Sequence, residues 1–599
     1  MNEANLSAPA SYLPITRKEF IARGWEQLDV IIVSGDAYVD HPSFGHAVIG
    51  RLIESMGFKV AILPQPNWRD DLRDFKKLGK PRLFFGVTAG CMDSMVNHYT
   101  ANKRLRSDDA YTPNNVSGFR PDYATIVYTN ILKELYPDVP VVLGGIEASM
   151  RRFTHYDYWS DTLMSSILAQ CKADILVYGM GELPIREITK RLAAGEIIEA
   201  LHNVPQIACL IDESEYHSLK KENTLILPSH EACLKNKTTF ASASQTIDEE
   251  SNSWLSNTII QEVGGKYLLV NPAFPQMDTN QIDQSFDLPY TRLPHPKYIK
   301  KGKLPAWEMI KFSINTHRGC FGGCSFCAIA AHQGKFIASR SESSLLKELE
   351  ALISMPDFKG TISDLGGPSA NMYQMHGINT DQCKKCKRPS CIFPANCKNL
   401  LTNHLPLIKL YKKFSEHPAI KHLFIGSGIR YDMLTACSPE IDKNYHYSAY
   451  IEQLVKFHVS GRLKIAPEHS EEEPLRFMRK APFSHYDEFR KKFEFYSAKA
   501  SKNQQLIPYF ISAHPGTKPE HMMKLALQCK KYNYRPEQVQ DFTPTPGTLA
   551  TAMFYTGLDP YTLKPLYVAK TLSEKQEQLR YLFWYTKENK VWFDKKKGR

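Results

Sequence analysis

Cys320, Cys324 and Cys327 stand three and two residues apart in the run His317-Arg318-Gly319-Cys320-Phe321-Gly322-Gly323-Cys324-Ser325-Phe326-Cys327. Thiolates are soft ligands that favour iron–sulfur clusters and zinc. Three of them on one short loop can grip three corners of an iron–sulfur cubane and leave the fourth iron without a protein ligand, open to reactive chemistry. A structural zinc site wants four closed protein ligands, and only His317 or His332 stands near enough in sequence to complete one. A second group, Cys383, Cys386, Cys391 and Cys397, is sufficient to close around one metal, either zinc or an auxiliary [4Fe-4S] cluster. Lys384, Lys385, Lys387, Arg388 and Lys398 lie beside these thiols and would offset a cluster's negative charge. Glu468 and His469 form the best polar pair for a substrate or proton-transfer role. Ser470 and Glu471-Glu472-Glu473, which follow, read as a helix N-cap and an acidic first turn.

Elements must hold these groups in place. Leu28 to Val33, Lys59 to Leu63, Arg82 to Val87, Val139 to Leu143 and Ala173 to Tyr178 are short apolar runs with the character of buried parallel strands. Helical stretches near His46–Met56 and Ile131–Leu135 alternate with them, which predicts a doubly wound, Rossmann-like α/β sheet. Ligands in such sheets sit beyond the carboxyl ends of the strands, here Gly35-Asp36, Gly144-Gly145-Ile146-Glu147 and Tyr178-Gly179-Met180-Gly181-Glu182; tight turns are the competing explanation. From Lys311 a second α/β repeat begins. Phe312 to Asn315, Thr361 to Leu365, His422 to Ile425, Arg462 to Ala466, Ile507 to Ile511 and Gln538 to Phe542 are its six expected strands, and the cysteine loop follows the first.

The chain has 599 residues, more than one core usually supports, with 43% hydrophobic content. It shows no long apolar run and no signal-peptide layout at its start, which points to a cytoplasmic protein with no membrane association. More than half of its 13 cysteines fall in the two groups, the pattern of metal or cluster binding in a reducing compartment. A net charge of +12 is a mild excess, steepest between Lys590 and Arg599. A solubilising tail is the usual meaning of such an end, and RNA contact the alternative. Residues 211–256 are polar and read as a solvated, mobile excursion.

The three-cysteine motif, with Phe326 just before its last cysteine, resembles the signature of the radical S-adenosylmethionine (radical SAM) enzymes. That resemblance implies a [4Fe-4S] cluster on Cys320, Cys324 and Cys327 that binds SAM and cleaves it reductively to a 5′-deoxyadenosyl radical. It also implies a partial (β/α)6 barrel and an electron donor such as flavodoxin or ferredoxin. Phe326 would pack beside the adenine, Gly366 and Gly367 would meet the amino end of SAM, and Ser427 and Arg430 would make ribose and carboxylate contacts. The N-terminal layout is similar to cobalamin-binding domains, but Asp40-His41-Pro42-Ser43-Phe44-Gly45 lacks the family's Asp-x-His-x-x-Gly spacing, so cobalamin is not implied. Segments such as Gly35 to Gly45, His155 to Trp159, Asp364 to Pro368 and Val539 to Thr548 resemble the YgiQ family of radical SAM proteins through almost the whole chain. Ala466 to Ser470 and the Pro-Gly-Thr pieces are also similar to radical SAM methylthiotransferases, which keeps methylthio or methyl transfer to RNA or another substrate as an alternative. A non-catalytic zinc or iron–sulfur nucleic-acid-binding protein is the competing class. The expected organisation is an α/β domain over residues 1–300, a barrel over 301–570 with a cysteine-rich insertion near 371–405, and a basic extension over 571–599.

Overall fold

The computed structural model describes residues 12–219, 222–435, 438–537 and 539–597. The chain divides into two compact units, Met1–Thr239 with Leu255–Lys311, and Phe240–Trp254 with Phe312–Arg599.

The first unit is built on one sheet of nine strands. β1 (Val30–Ser34), β2 (Val60–Pro64), β3 (Phe84–Thr88), β4 (Val141–Leu143) and β5 (Ile175–Val177) run parallel, β1 lying between β2 and β3 with Val30 opposite both Val60 and Phe84. Successive strand residues point to opposite faces, and every residue of β1 and β2 is buried, so both faces of the sheet are covered. Ala47 and Ile53 of helix Gly45–Ser55 share one core with Val30, Ile32, Val60 and Ile62.

Beyond β5 the sheet departs from the expected parallel layout. It continues through β6 (Ile207–Ile211), β9 (Lys266–Val270), β8 (Thr258–Val263) and β7 (Thr224–Leu227), in that spatial order. β6 is antiparallel to both its neighbours, and β8 and β9 form a hairpin. Its two-residue turn is Gly264-Gly265, both at positive φ, the geometry that matches the twist of a hairpin. The stretch 211–256 is therefore not a solvated excursion. It supplies β7, and it supplies helix Lys237–Ser251, which buries Phe240, Ala241 and Ala243.

In the second unit the first four strands are only two or three residues long. β10 (Ser313–Asn315) runs parallel to β12 (Asp364–Gly366), and β11 (Thr361–Ile362) runs parallel to β13 (His422–Leu423). β14 (Arg462–Glu468), β15 (Gln505–Ser512) and β16 (Val539–Asp541) form a parallel trio. Ile314, Leu365, Leu423, Leu463 and Ile465 meet Leu345, Leu349, Leu407, Phe414, Phe489 and Phe493 of helices Glu342–Ile353, Leu405–Ser415 and Phe483–Lys499 in one core.

The C-terminal segment is no loose tail either. Its helices Leu572–Leu582 and Lys587–Lys597 bury Tyr581, Leu582 and Phe593 against Phe510, Met522 and Leu525. Lysines dominate its composition, but a few aromatic side chains suffice to dock it. Among the described residues no helix is long and apolar enough to cross a membrane.

Candidate metal centre

The cysteine loop starts at the carboxyl end of β10, where Thr316 donates through its backbone N–H (2.6 Å) and its hydroxyl (3.0 Å) to the Gly366 carbonyl of β12. His317–Arg318 then pairs with Ala338–Ser339, and the Cys320 N–H donates to Gly334 (3.1 Å). Ser325, between the second and third cysteines, ties the loop to later strands. Its N–H donates to Met478 and its hydroxyl to Phe477, both beyond β14, while its carbonyl accepts from Ala550 beyond β16. A Cβ at Gly322 would lie 2.4 Å from an Arg430 guanidinium nitrogen, so a larger residue there would have to displace that side chain from its place beside the thiols.

The three thiols are half-buried and free of disulfides. Burial, then the neighbouring Cys324 and Cys320, push the Cys327 thiol up to about 12, so each sulfur lies near enough to feel the others' charge. Arg430 donates to the Cys324 sulfur at 3.5 Å, and the Ser369 hydroxyl lies 3.5 Å from that of Cys320. The donor set suits a cluster that takes three protein thiolates. Among the described residues no three His, Cys, Asp or Glu side chains stand close enough to hold a single metal ion; a [4Fe-4S] cluster asks each thiolate for a separate iron.

Several expected cofactor contacts are taken up within the protein. Arg430 forms a forked pair with Asp432 (3.0 and 2.5 Å) besides its contact with Cys324, so its guanidinium addresses the cysteine loop and not a distant carboxylate. The Ser427 hydroxyl donates to Asp364, which also accepts the N–H groups of Gly426 (2.8 Å) and Ser427 (3.1 Å). Gly366 lies against Ser427 and Gly367 against the His317 ring, where a Cβ would come within 2.9 and 2.6 Å. The Phe326 ring meets His514 edge-on at 5.9 Å.

Glu468 and His469 diverge in character. Glu468 is buried at φ +67°, a left-handed backbone that costs a non-glycine residue about 1–3 kcal/mol and tends to mark functional positions. Burial raises its carboxyl above the ordinary range although Lys480 lies 3.7 Å away. His469 is fully buried, and its Nδ1 accepts from the N–H groups of Ser470 (2.9 Å) and Glu471 (3.0 Å), which fixes a neutral ring with its proton on Nε2. Burial and the neighbouring His521 and His514 hold it at about 3, so it fixes the turn that leads into the helix Glu472–Met478, whose N-cap is Glu471 and not the expected Ser470, and holds no exchangeable charge near neutrality.

Sequence reasoning marked Asp364 only as part of the segment Asp364 to Pro368 and missed Ser369 and Asp432, of which Asp432, two residues past Arg430, carried a signal. It also missed the brace from helix Lys237–Ser251. Asp248 accepts from Arg479 (2.6 Å) and Tyr561 (2.7 Å), and Arg479 donates to the Gly323 carbonyl inside the cysteine loop (3.5 Å).

In the second group, Cys386 donates its N–H to the Cys383 carbonyl (3.1 Å) and Cys397 to that of Cys391 (2.7 Å), which closes a turn in each half of the group. In the first unit, His41 is 1% exposed and its Nδ1 accepts from the Ser43 N–H, so the histidine nearest to a cobalamin motif is sealed in its own turn.

Residues 12–313 match the family described as radical SAM N-terminal, and residues 537–592 match a domain of unknown function (DUF3362). A UPF0313 protein of Porphyromonas gingivalis is 57% identical over 578 residues, covering 96% of this chain and 91% of its own. The chain belongs to the UPF0313 family. Another UPF0313 protein, of Bacteroides thetaiotaomicron, is 55% identical over 97% of this chain and 95% of its own; YgiQ of Escherichia coli K12 is 44% identical over 95% and 83%. Among solved structures, the radical S-adenosylmethionine methyltransferase TsrM of Kitasatospora setae is similar at 14% identity and TM-score 0.45, covering 85% of this chain and 72% of that one.

Proposed function

We propose that this UPF0313 chain is a radical SAM enzyme whose Cys320, Cys324 and Cys327 hold a [4Fe-4S] cluster. When bound, such a cluster supplies one electron to SAM, which breaks into methionine and a 5′-deoxyadenosyl radical. The observation that carries the reading is the anchoring of the loop. Three free thiols sit on one loop, with Arg430 donating to the Cys324 sulfur, and that loop is pinned to β12 at its start and, through Ser325, to the segments after β14 and β16. The six strands β10, β11–β12, β13, β14, β15 and β16, with their helices, are read as a partial (β/α)6 barrel, in which chemistry gathers beyond the carboxyl ends of the strands.

The chain's own residues then have distinct work. Arg430 offsets the charge of the thiolates and is held to that task by Asp432. Asp364 shapes the loop after β13, and the Gly366-Gly367 turn, its Gly366 carbonyl taken by Thr316, would meet the amino end of SAM through its remaining backbone groups. Phe326, braced by His514, offers an apolar edge to the adenine. Glu468 is the acidic group for the substrate, protonated more readily than an ordinary carboxyl because it is buried. Cobalamin has no part in this proposal.

Anaerobic reconstitution with iron and sulfide, reduction, and assay of 5′-deoxyadenosine test the reading, with Cys324→Ala as control. Nucleoside from the wild type that disappears in the variant is expected. A cluster-replete protein that forms none overturns it and moves the weight to a metal-binding role.

A further inference from the structure

The second cysteine group sits directly against the first. The Cys391 N–H donates to the Phe321 carbonyl (3.0 Å), and the Ser390 hydroxyl reaches the same oxygen (3.3 Å). Phe321 is the immediate neighbour of Cys320. One apolar cluster of Phe321, Met372, Met375, Ile392, Leu400 and Met433 has Cys320 packed on it from the first set and Cys391 and Cys397 from the second. An insertion that only needed a staple had no reason to seat its thiols against the loop that carries the other three.

Lys335 supplies an independent observation. It is 1% exposed, its ammonium donates to the Arg388 carbonyl (2.7 Å), and among the described residues no carboxylate lies within ion-pair distance of it. A buried charge without a counter-charge is costly. Cys383 and Cys391 lie near enough to feel that charge, and a cluster bound between them would supply the missing negative charge. The basic residues of the insertion face the other way. Lys384, Lys385, Lys387 and Lys398 are exposed, and Asp381, paired with Lys384, is the one acidic residue between 378 and 400.

We propose that Cys383, Cys386, Cys391 and Cys397 hold a second iron–sulfur cluster that takes single electrons from an acidic low-potential carrier protein and passes them to the cluster of Cys320, Cys324 and Cys327. The inference rests on reading the first set as a radical SAM cluster. The step moves one electron and no atoms. The carrier is oxidised by one electron, the second cluster is reduced and then reoxidised, and the first cluster gains the electron that SAM cleavage consumes. Exposed lysines around half-buried thiolates give the carrier an oriented dock, and complementary charge of this kind raises the association rate.

The test uses the full chain, reconstituted anaerobically, with photoreduced flavodoxin as the carrier. The wild type should hold about eight irons, and Cys383→Ser/Cys391→Ser about four. Zinc in place of half the iron overturns the proposal. In that variant dithionite should still reduce the remaining cluster, with an electron paramagnetic resonance signal that SAM perturbs, while reduction by flavodoxin slows roughly tenfold or more; an unchanged rate overturns the relay. Lys384→Glu/Lys385→Glu/Lys387→Glu guards against misfolding of the cysteine variant. It should keep all the iron and slow the flavodoxin step most at low ionic strength, and no slowing overturns the dock. Cys324→Ala should remove the other half of the iron and leave the second signal intact. Loss of both signals there counts against the relay's independence, and loss of neither against the first reading alone.

Discussion

Parallel strands end in two contrasting ways in this molecule. Beyond β1 and β3, where the sheet order reverses and such folds take ligands, the charged groups answer one another. Arg120 lies between Asp36 (3.0 Å) and Asp109 (3.1 Å), all three at most 1% exposed, and donates to the Ala89 carbonyl. Glu147 accepts the N–H groups of Ser94 (2.7 Å) and Thr125 (2.9 Å) and the Ser94 hydroxyl. Around the cysteine loop of the second unit, Arg430 donates to the Cys324 sulfur, and Glu468 sits buried at positive φ. The comparison teaches that a ligand-binding topology is not a ligand site. The first crevice is closed by its own ion pairs, whereas the second carries three free cysteines on one loop.

Acid should separate the two regions most. His404 and His469 are held at about 3, and His458 and His514 at about 4, in each case first by burial. In the first unit the same cause holds His46 at about 3 and His155 at about 4. Each ring is neutral when folded and takes a proton near pH 6.5 when unfolded. Below pH 6.5 the unfolded state therefore binds more protons, and stability falls as pH falls toward the folded values. The cost is about 2 kcal/mol per histidine between pH 6.5 and 5. Hydrogen exchange at pH 7 and 5 should show the second unit, with more such rings, losing protection first; equal losses in both would break the contrast. Next in size, Arg120→Met leaves Asp36 and Asp109 buried without their cation and should cost about 3–5 kcal/mol in chemical unfolding. The iron content of the folded fraction should not change, since the crevice is structural.

Gly322→Ala reverses that pattern. The added methyl meets Arg430 at 2.4 Å and the Cys320 sulfur at 3.3 Å, so iron retention should fall severalfold. Unfolding should move by only about 1–2 kcal/mol, because the strain is local. Iron lost by Arg120→Met, or kept by Gly322→Ala, would mean that the two strand ends are not so different.

Legibility from sequence follows the same physics. β1 to β5 were readable because strands buried on both faces are written as uninterrupted β-branched and aliphatic runs, Val30-Ile31-Ile32-Val33 being the clearest. The thiol set was readable because its chemistry lies in local spacing. The antiparallel edge was not, since β7 is four residues inside a polar stretch and its pairing with β8 spans more than thirty positions. Arg430 looked available for a carboxylate because its pairing with Asp432 depends on the turn Tyr431–Met433. His469 looked like a proton carrier because nothing in the sequence shows that two backbone amides point at its Nδ1. Side-chain roles decided by backbone geometry stay hidden until the backbone is known.

The smallest expected effect concerns the brace on the cysteine loop. Asp248→Asn keeps the shape but removes the charge that meets Arg479 at 2.6 Å, and a buried charge-assisted hydrogen bond of this kind is worth about 1.5–3 kcal/mol. The amide can still accept from Tyr561, so the measured loss should be nearer 1 kcal/mol. Because Arg479 also donates to the Gly323 carbonyl, the sharper readout is the loop itself. The amide protons of residues 319–327 should exchange faster in the variant than in the wild type, while those of β1 and β3 stay as they were. Unchanged exchange in the loop would show that Thr316 and Ser325 anchor it without help from Arg479, and that the brace serves the helix alone.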